Sequence, residues 1–431
     1  NHVFAILLKG TPMQNQLRTI YNEFPRRFWG VVGISFIDVV GRTLLFPFFA
    51  LYITQRFEVG MTQAGLVLGL FSIFSLFGNM IGGALTDRLG RKKLIIFGLV
   101  SSAVTTVALG LIDEFYLLFP LAAVIGLFAD VAGPAHQAMI ADILPEKQRQ
   151  EGFGILRVVA NMAWIIGPTI GGFVANRSFF ALFVADAVIS CISAIIFFVY
   201  IPETKPEAKE GEKPETMAQT FGGYATVLRD AAFMAFIVAS ILMGTVYIQM
   251  YNSLGVFLRD VHGVTPQGYG FVLTSSAITV ILFQFWTTRI IKIRPPFLMM
   301  ALGSLFYVIG FGMYGFVSAF ALFIVAMVIV TIGEMIVVPT ASTLAANFAP
   351  EQMRGRYMAV FSLVWQIPAT VGPAAAGYIL DNYNPNLLWY IGGGLCVGAA
   401  LAFYYLHFRL GGRKQFAAAP VELEAAPAAS K

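Results

Sequence analysis

The sequence is poor in charge and in cysteine. Only 12% of its 431 residues are Asp, Glu, Lys or Arg, while 58% are hydrophobic. A water-soluble domain carries about 25% charged residues, so this composition excludes an ordinary soluble protein. The two cysteines, Cys191 and Cys396, both fall inside apolar runs, which argues against a disulfide framework and leaves the redox compartment unread. The four histidines, His2, His136, His262 and His407, form no ligand cluster. There is no His-Glu-x-x-His and no nucleophile elbow, so an enzyme is not expected, nor a metal or cofactor other than a coupling proton. The net charge of +5 sits in short clusters without a basic helix or RNA-binding motif, which removes nucleic acid as a partner. No short apolar core followed by a small-residue cleavage site opens the sequence, so the first span is expected to be retained.

What the chain does have is long apolar runs near the ~20 residues that cross a bilayer. Twelve are counted, at 28–54, 64–86, 94–112, 116–141, 153–175, 179–202, 231–258, 270–291, 297–316, 319–346, 357–380 and 387–408. The fold class is therefore an all-α membrane protein. If the N-terminus is cytoplasmic, only Arg56, Arg177 and Arg259 lie in far-side connections, with Arg42 and Arg157 inside spans. That asymmetry is the positive-inside pattern and places both termini in the cytoplasm. The segment ETKPEAKEGEKPET, from Glu203 to Thr216, cannot bury a core and reads as a cytoplasmic linker. It separates six spans from six. The expected organisation is an N-terminal segment 1–25, a six-helix bundle 26–202, a linker 203–229, a second bundle 230–410 and a tail 411–431. The short loops suit a bacterial inner membrane, and a monomer among lipids is expected. Asn176-Arg177-Ser178 fits a glycosylation acceptor, but its loop is too short to be reached.

The halves are related in sequence. Shifting the chain by 205 residues lays Pro134 on Pro339, Pro145 on Pro350, Glu146 on Glu351, Arg149 on Arg354, Gly167-Pro168 on Gly372-Pro373 and Gly172 on Gly377. A shift of six spans keeps the repeats parallel, so a pseudo-twofold axis along the membrane normal is expected, with a site near the midplane.

The residues between spans two and three, GALTDRLGRKK, resemble the loop signature of the major facilitator superfamily through Gly83, Leu85, Asp87, Arg88, Gly90, Arg91 and Lys92. The resemblance covers nearly the whole chain. Span five also resembles the antiporter signature of that family in Gly154, Gly167, Pro168, Gly171 and Gly172, with Ala163 where glycine is usual. The surroundings of Glu334 (TIGEMIVVP) and Asp142 (AMIADILPEKQR) are most similar to the twelve-helix proton-linked drug antiporters. Two departures stand out. The second-half counterpart of the signature, Thr288 to Pro296, lacks the Asp and Gly, and span four has Leu127-Phe128-Ala129-Asp130 where the family usually places an Arg. The resemblance implies a gate in which Asp87 docks on the start of span eleven, with Gly83, Arg88, Gly90, Arg91 and Asp142 completing a cytoplasmic latch. A local role for Asp87 beside Arg88 is the alternative.

An ionisable group at the bilayer centre costs roughly 2.5–3.5 kcal/mol on insertion scales, so each one needs a reason. Glu334, in the middle of span ten, is the first candidate proton carrier; the alternative is a neutral acid bonded to a neighbouring helix. Asp130 lies four residues before Pro134 and Glu334 five before Pro339, so they are near-equivalents, Asp130 carrying protons or pairing with Arg157. Asp38 and Arg42 share a helix face at four-residue spacing and form either a structural pair or one that opens on binding. Asp186 is near the far end of span six, where interfacial water is within reach, and reads as structural. Trp164, Tyr247, Tyr251 and Trp365 are candidate cavity residues beside Asp38, Arg42 and Glu334, with lipid-facing or core positions as the alternative. Gly167, Pro168, Gly171 and Gly172 read as a hinge or a close-packed stripe. The expectation is alternating-access export of a lipophilic or cationic small molecule against protons. The alternatives are a proton-linked symporter for a sugar, organic acid or peptide, and a lipid or lysolipid translocator.

Overall fold

A computed structural model describes residues 21–205, 225–350 and 353–411. Among these there is no strand, and twelve helical segments are long and apolar enough to cross a membrane. They are Arg26–Arg56, Met61–Gly83, Arg91–Leu111, Phe115–Ile143, Glu151–Ala175, Phe179–Tyr200, Ala231–Asn252, Pro266–Lys292, Pro296–Tyr314, Phe320–Phe348, Arg356–Asn382 and Leu387–Leu410. Each expected run corresponds to one of these, numbered here as spans one to twelve. The chain is an all-α, multi-pass membrane protein. Residues 1–20 of the expected N-terminal segment, 206–224 of the linker and 412–431 of the tail lie outside the described residues.

Local sequence explains the ends and breaks. Ser178, Thr265 and Asp230 each accept the N–H three residues on and cap spans six, eight and seven. Pro47 lacks an N–H, and span one becomes a 3-10 turn at Phe46–Phe48 before resuming at Phe49–Arg56. Span seven was expected as one run to 258. It instead breaks into Ala231–Tyr247, Gln249–Asn252 and Leu254–His262, where Ser253 donates to Gln249 Oε1 at 2.7 Å and side chains take over part of the bonding.

The fold forms two compact units. One contains span one as far as Pro47 and the chain from Leu70 through span six. Its core gathers Phe28, Val31, Leu94, Met139, Ile140 and Phe197. Glycines set one close crossing: a Cβ on Gly78 or Gly82 of span two would stand 2.1 Å from a carbonyl oxygen of span four, at Leu127 and Val131. Small residues let membrane helices meet where no water is available to drive them together.

The other unit contains spans seven to twelve together with Phe48–Gly69, the end of span one and the start of span two. Trp389 is 1% exposed and stacks with Phe311 at 6.3 Å between ring centres. Phe48–Gly69 is held by close backbone contact, since a Cβ on Gly65 would lie 2.4 Å from the Pro373 backbone and one on Gly377 would lie 2.4 Å from that of Met61.

Candidate functional site

In the second unit Glu334 faces span seven. Tyr247 donates its hydroxyl to Glu334 Oε1 at 2.9 Å, and its oxygen lies 3.2 Å from that of Tyr251. The rings of Tyr247 and Tyr251 meet edge-on at 5.7 Å between centres, across the break in span seven. Trp365 of span eleven meets Tyr247 edge-on at 5.7 Å, and Tyr307 of span nine stacks on it at 6.3 Å. Four of the sequence candidates, Glu334, Tyr247, Tyr251 and Trp365, therefore form one group. Beside them lies a narrow cleft of about 20 Å³, room for about one water, with Ser240, Met243, Tyr247, Met300, Tyr307 and Trp365 in its wall. The sequence reading missed Tyr307, Met243 and Met300, which carry no charge to draw attention. The wall is apolar and aromatic, with the carboxyl of Glu334 bonded to one of its tyrosines. Aromatic faces attract cations and add to a neighbouring negative charge.

The first unit is built differently. Asp38 and Arg42 form an ion pair at 3.3 Å, with Arg42 56% and Asp38 21% exposed at the side chain. His136 of span four, given no role in the sequence reading, lies 2.8 Å from Ser35 Oγ through its Nε2. Asp130 accepts a hydrogen bond from Ser75 of span two rather than pairing with Arg157. It ends the helical piece Leu118–Ala129, where the chain turns before Gly133-Pro134 restarts the helix. Asp186 requires a correction. It does not reach interfacial water: it is 2% exposed, and Thr106 of span three donates to its Oδ2 at 3.0 Å. Trp164 contacts Phe46 edge-on at 6.5 Å and belongs to this unit. In span five the helix runs unbroken through Pro168, and a Cβ on Gly167 would lie 2.1 Å from Thr43 Oγ1. Gly167 is thus a point of close contact with span one.

The charged loop has the expected contact and one that was missed. Arg91 Nε bonds Asp142 at 3.0 Å. Gly90 turns with φ of 92°, a conformation that favours glycine, and exposes the start of span three. There Glu203, the first residue of the expected linker, accepts the N–H groups of Arg91 at 2.9 Å and Lys92 at 3.1 Å. Partial burial pushes Glu203 up, but backbone N–H groups of Arg91, Lys205, Thr204 and Lys92 outweigh it and hold the carboxyl below the ordinary glutamate value. Lys205 then reaches the Arg88 carbonyl at 3.1 Å. Gly83 has open space where a Cβ would go, and the Asp87 side chain lies outside the described residues. A second helix-end contact, missed in the sequence, lies in the other unit. Asp381, at the end of span eleven, accepts the N–H groups of Met61 and Thr62 at 2.8 and 2.7 Å and caps the start of span two. No group of three or more His, Cys, Asp or Glu that could hold a metal ion occurs among the described residues.

Comparison with known proteins agrees with this architecture. The chain is 28% identical over 357 residues to a Na(+), Li(+), K(+)/H(+) antiporter of Planococcus maritimus, covering 77% of this chain and 84% of the relative. It is 23% identical over 371 residues to the quinolone resistance protein NorA of Staphylococcus aureus, covering 85% and 92%. Among solved structures, a POT family transporter in complex with a thioalcohol-conjugated peptide aligns with a TM-score of 0.75 at 15% identity over 89% of this chain and 96% of the other. The nucleoside transporter NupG aligns equally well, at 14% identity over 88% and 100%. The sequence pattern of the Major Facilitator Superfamily matches residues 31–373 and, again, 263–421, and with twelve spans in place the chain belongs to that superfamily of membrane transporters.

Proposed function

We propose that the protein exports lipophilic cationic small molecules in exchange for protons, in a bacterial inner membrane with both termini in the cytoplasm. The observation that carries this reading is the Glu334 carboxyl bonded to Tyr247 in an aromatic and methionine-lined cleft. Such a wall takes up apolar surface of many shapes, because methionine adapts and aromatic rings accept cations on their faces. A protonated carboxyl is neutral and only the carboxylate pairs with a cation, so a proton and a cationic substrate compete for the same group. That competition is the exchange. The relatives in Planococcus and Staphylococcus, one named an antiporter and one a drug-resistance protein, support the direction of the reading.

Access alternates when contacts made on one side are lost on the other. The Asp381 cap on span two serves as a contact of the non-cytoplasmic side, and the Glu203, Arg91 and Asp142 cluster belongs to the cytoplasmic side. In proteoliposomes with an imposed pH gradient, uphill movement of a fluorescent lipophilic cation should require Glu334. Glu334→Gln should abolish uphill transport and leave downhill equilibration. Unchanged uphill transport in that variant would remove Glu334 from coupling. The Planococcus relative motivates one further arm: if sodium gradients dissipate the pH gradient and organic cations do not, the exchanged ion is inorganic.

A further inference from the structure

Among the described residues Asp186 is the deepest acid in the first unit, and the exchange described above gives it no part. The residue is 2% exposed. Thr106 satisfies Oδ2, while Oδ1 has no hydrogen-bond partner. What Oδ1 faces is span one. A Cβ on Gly41 would lie 3.0 Å from it, so the missing side chain of Gly41 makes the notch that admits the carboxyl. Gly41 stands between Asp38 and Arg42 on one helix face, at i, i+3 and i+4. Among the described residues, the charged groups whose field reaches Asp186 are Asp38 and Arg42, both on span one. The same two charges act on His136.

A bare carboxylate with one oxygen unmatched in a membrane interior carries a large desolvation penalty, which a proton on that oxygen removes. The guanidinium that could replace the proton belongs to the residue after Gly41, but it is engaged with Asp38 and more than half exposed. Resting on the exchange reading above, we propose that Asp186 is a second proton-binding site, in which Arg42 and a proton on Oδ1 are alternatives. While Arg42 pairs with Asp38, Oδ1 keeps its proton. When a cationic group of the substrate takes Asp38, Arg42 turns about the Gly41 notch to Asp186, an ion pair forms, and the proton leaves Oδ1 for water. No charge is left unpaired in either arrangement. Asp38 then receives the substrate, Arg42 is the moving counter-ion, and Asp186 holds the proton. The site couples binding in the first unit to proton release without involving Glu334.

Infrared spectra of the purified full-length protein in detergent at neutral pH test this independently of transport. The wild type minus Asp186→Asn difference should contain the carbonyl band of one protonated carboxyl, because asparagine keeps the Thr106 bond and the neutral charge but has no acid. Adding tetraphenylphosphonium should remove that band in the wild type and leave it in Arg42→Ala. Identical spectra for wild type and Asp186→Asn would overturn the assignment. A band that ignores the cation in the wild type would overturn the role of Arg42. Should Asp186→Asn fail to fold, the cation-induced loss of one carboxyl band in the wild type and its persistence in Arg42→Ala carry the test alone. Uphill transport that survives Glu334→Gln would defeat the reading of Glu334, while the Asp186 band stands or falls by itself.

Discussion

Span four and span ten come from matched stretches of sequence, yet their acids live in different surroundings. Asp130 sits where span four breaks, bonded to a serine, in a unit that also holds an ion pair, a histidine and Asp186. Glu334 sits in a span that runs unbroken from Phe320 to Phe348, among three tyrosines and a tryptophan. The difference begins in the backbone. Pro134 follows a glycine, and the chain turns there, with Gly133 N–H bonding the Asp130 carbonyl at 3.2 Å. Pro339 leaves the Met335 carbonyl without its helical donor, but Gln284 of span eight supplies one at a long 3.5 Å, and the helix continues. One repeat thus carries an ion pair, a histidine and two bonded acids, and the other an aromatic group around Glu334. Duplicated topology did not enforce duplicated chemistry.

The comparison is sharpest if aromatic residues are tested in both units. Tyr247→Ala removes the donor to Glu334 and the ring that Tyr307 and Trp365 pack against, so binding of a lipophilic cation should weaken roughly thirtyfold, the equivalent of about 2 kcal/mol for a desolvated cation–π contact. Trp164→Ala in the first unit should change affinity by no more than about twofold. Equal losses, measured by equilibrium titration in detergent, would erase the distinction between the units. A smaller effect is expected at Asp381. Asp381→Ala leaves the N–H groups of Met61 and Thr62 without their acceptor, and loss of a helix cap costs about 1 kcal/mol, close to fivefold in a two-state equilibrium. Thiol labelling of a cysteine placed at Thr62 should rise by about that factor, and Asp381→Asn, which keeps one acceptor, should fall between. Labelling unchanged in both would show that the glycine contacts of Gly65 and Gly377 hold span two without help from the cap.

The sequence reading located all twelve spans because apolar length is a strong signal that needs no tertiary information. It also found Glu334, Asp38 and Arg42, since charge inside apolar sequence is conspicuous, and Arg91 with Asp142 through the family resemblance. It did not group Tyr307 with Tyr247 and Tyr251, because Tyr307 is one aromatic among many and only helix packing brings span nine to span seven. Asp186 was misplaced for a related reason. Distance from a helix end suggests water, but the notch at Gly41 and the hydroxyl of Thr106 come from other spans. Asp381 and Glu203 were missed because a carboxylate that caps another helix has no sequence spacing to reveal it.

Glu203 should show the smallest effect, and it contrasts two caps of the same kind. Like Asp381, it accepts two N–H groups at a helix start, but it stands in water beside the linker. Its carboxyl lies below the ordinary glutamate value in the folded protein. A depressed carboxyl stabilises fully above its unfolded value of about 4.3 and loses that contribution as pH falls through the lower, folded value. Wild-type protein should therefore melt slightly above Glu203→Gln at neutral pH, and the gap should close only in acid. Transport at neutral pH should change less than twofold, because solvent screens an exposed contact. No gap at neutral pH would mean that the amide serves the two N–H groups as well as the carboxylate does, and a gap that is constant down to acid pH would mean that it does not come from the negative charge of Glu203.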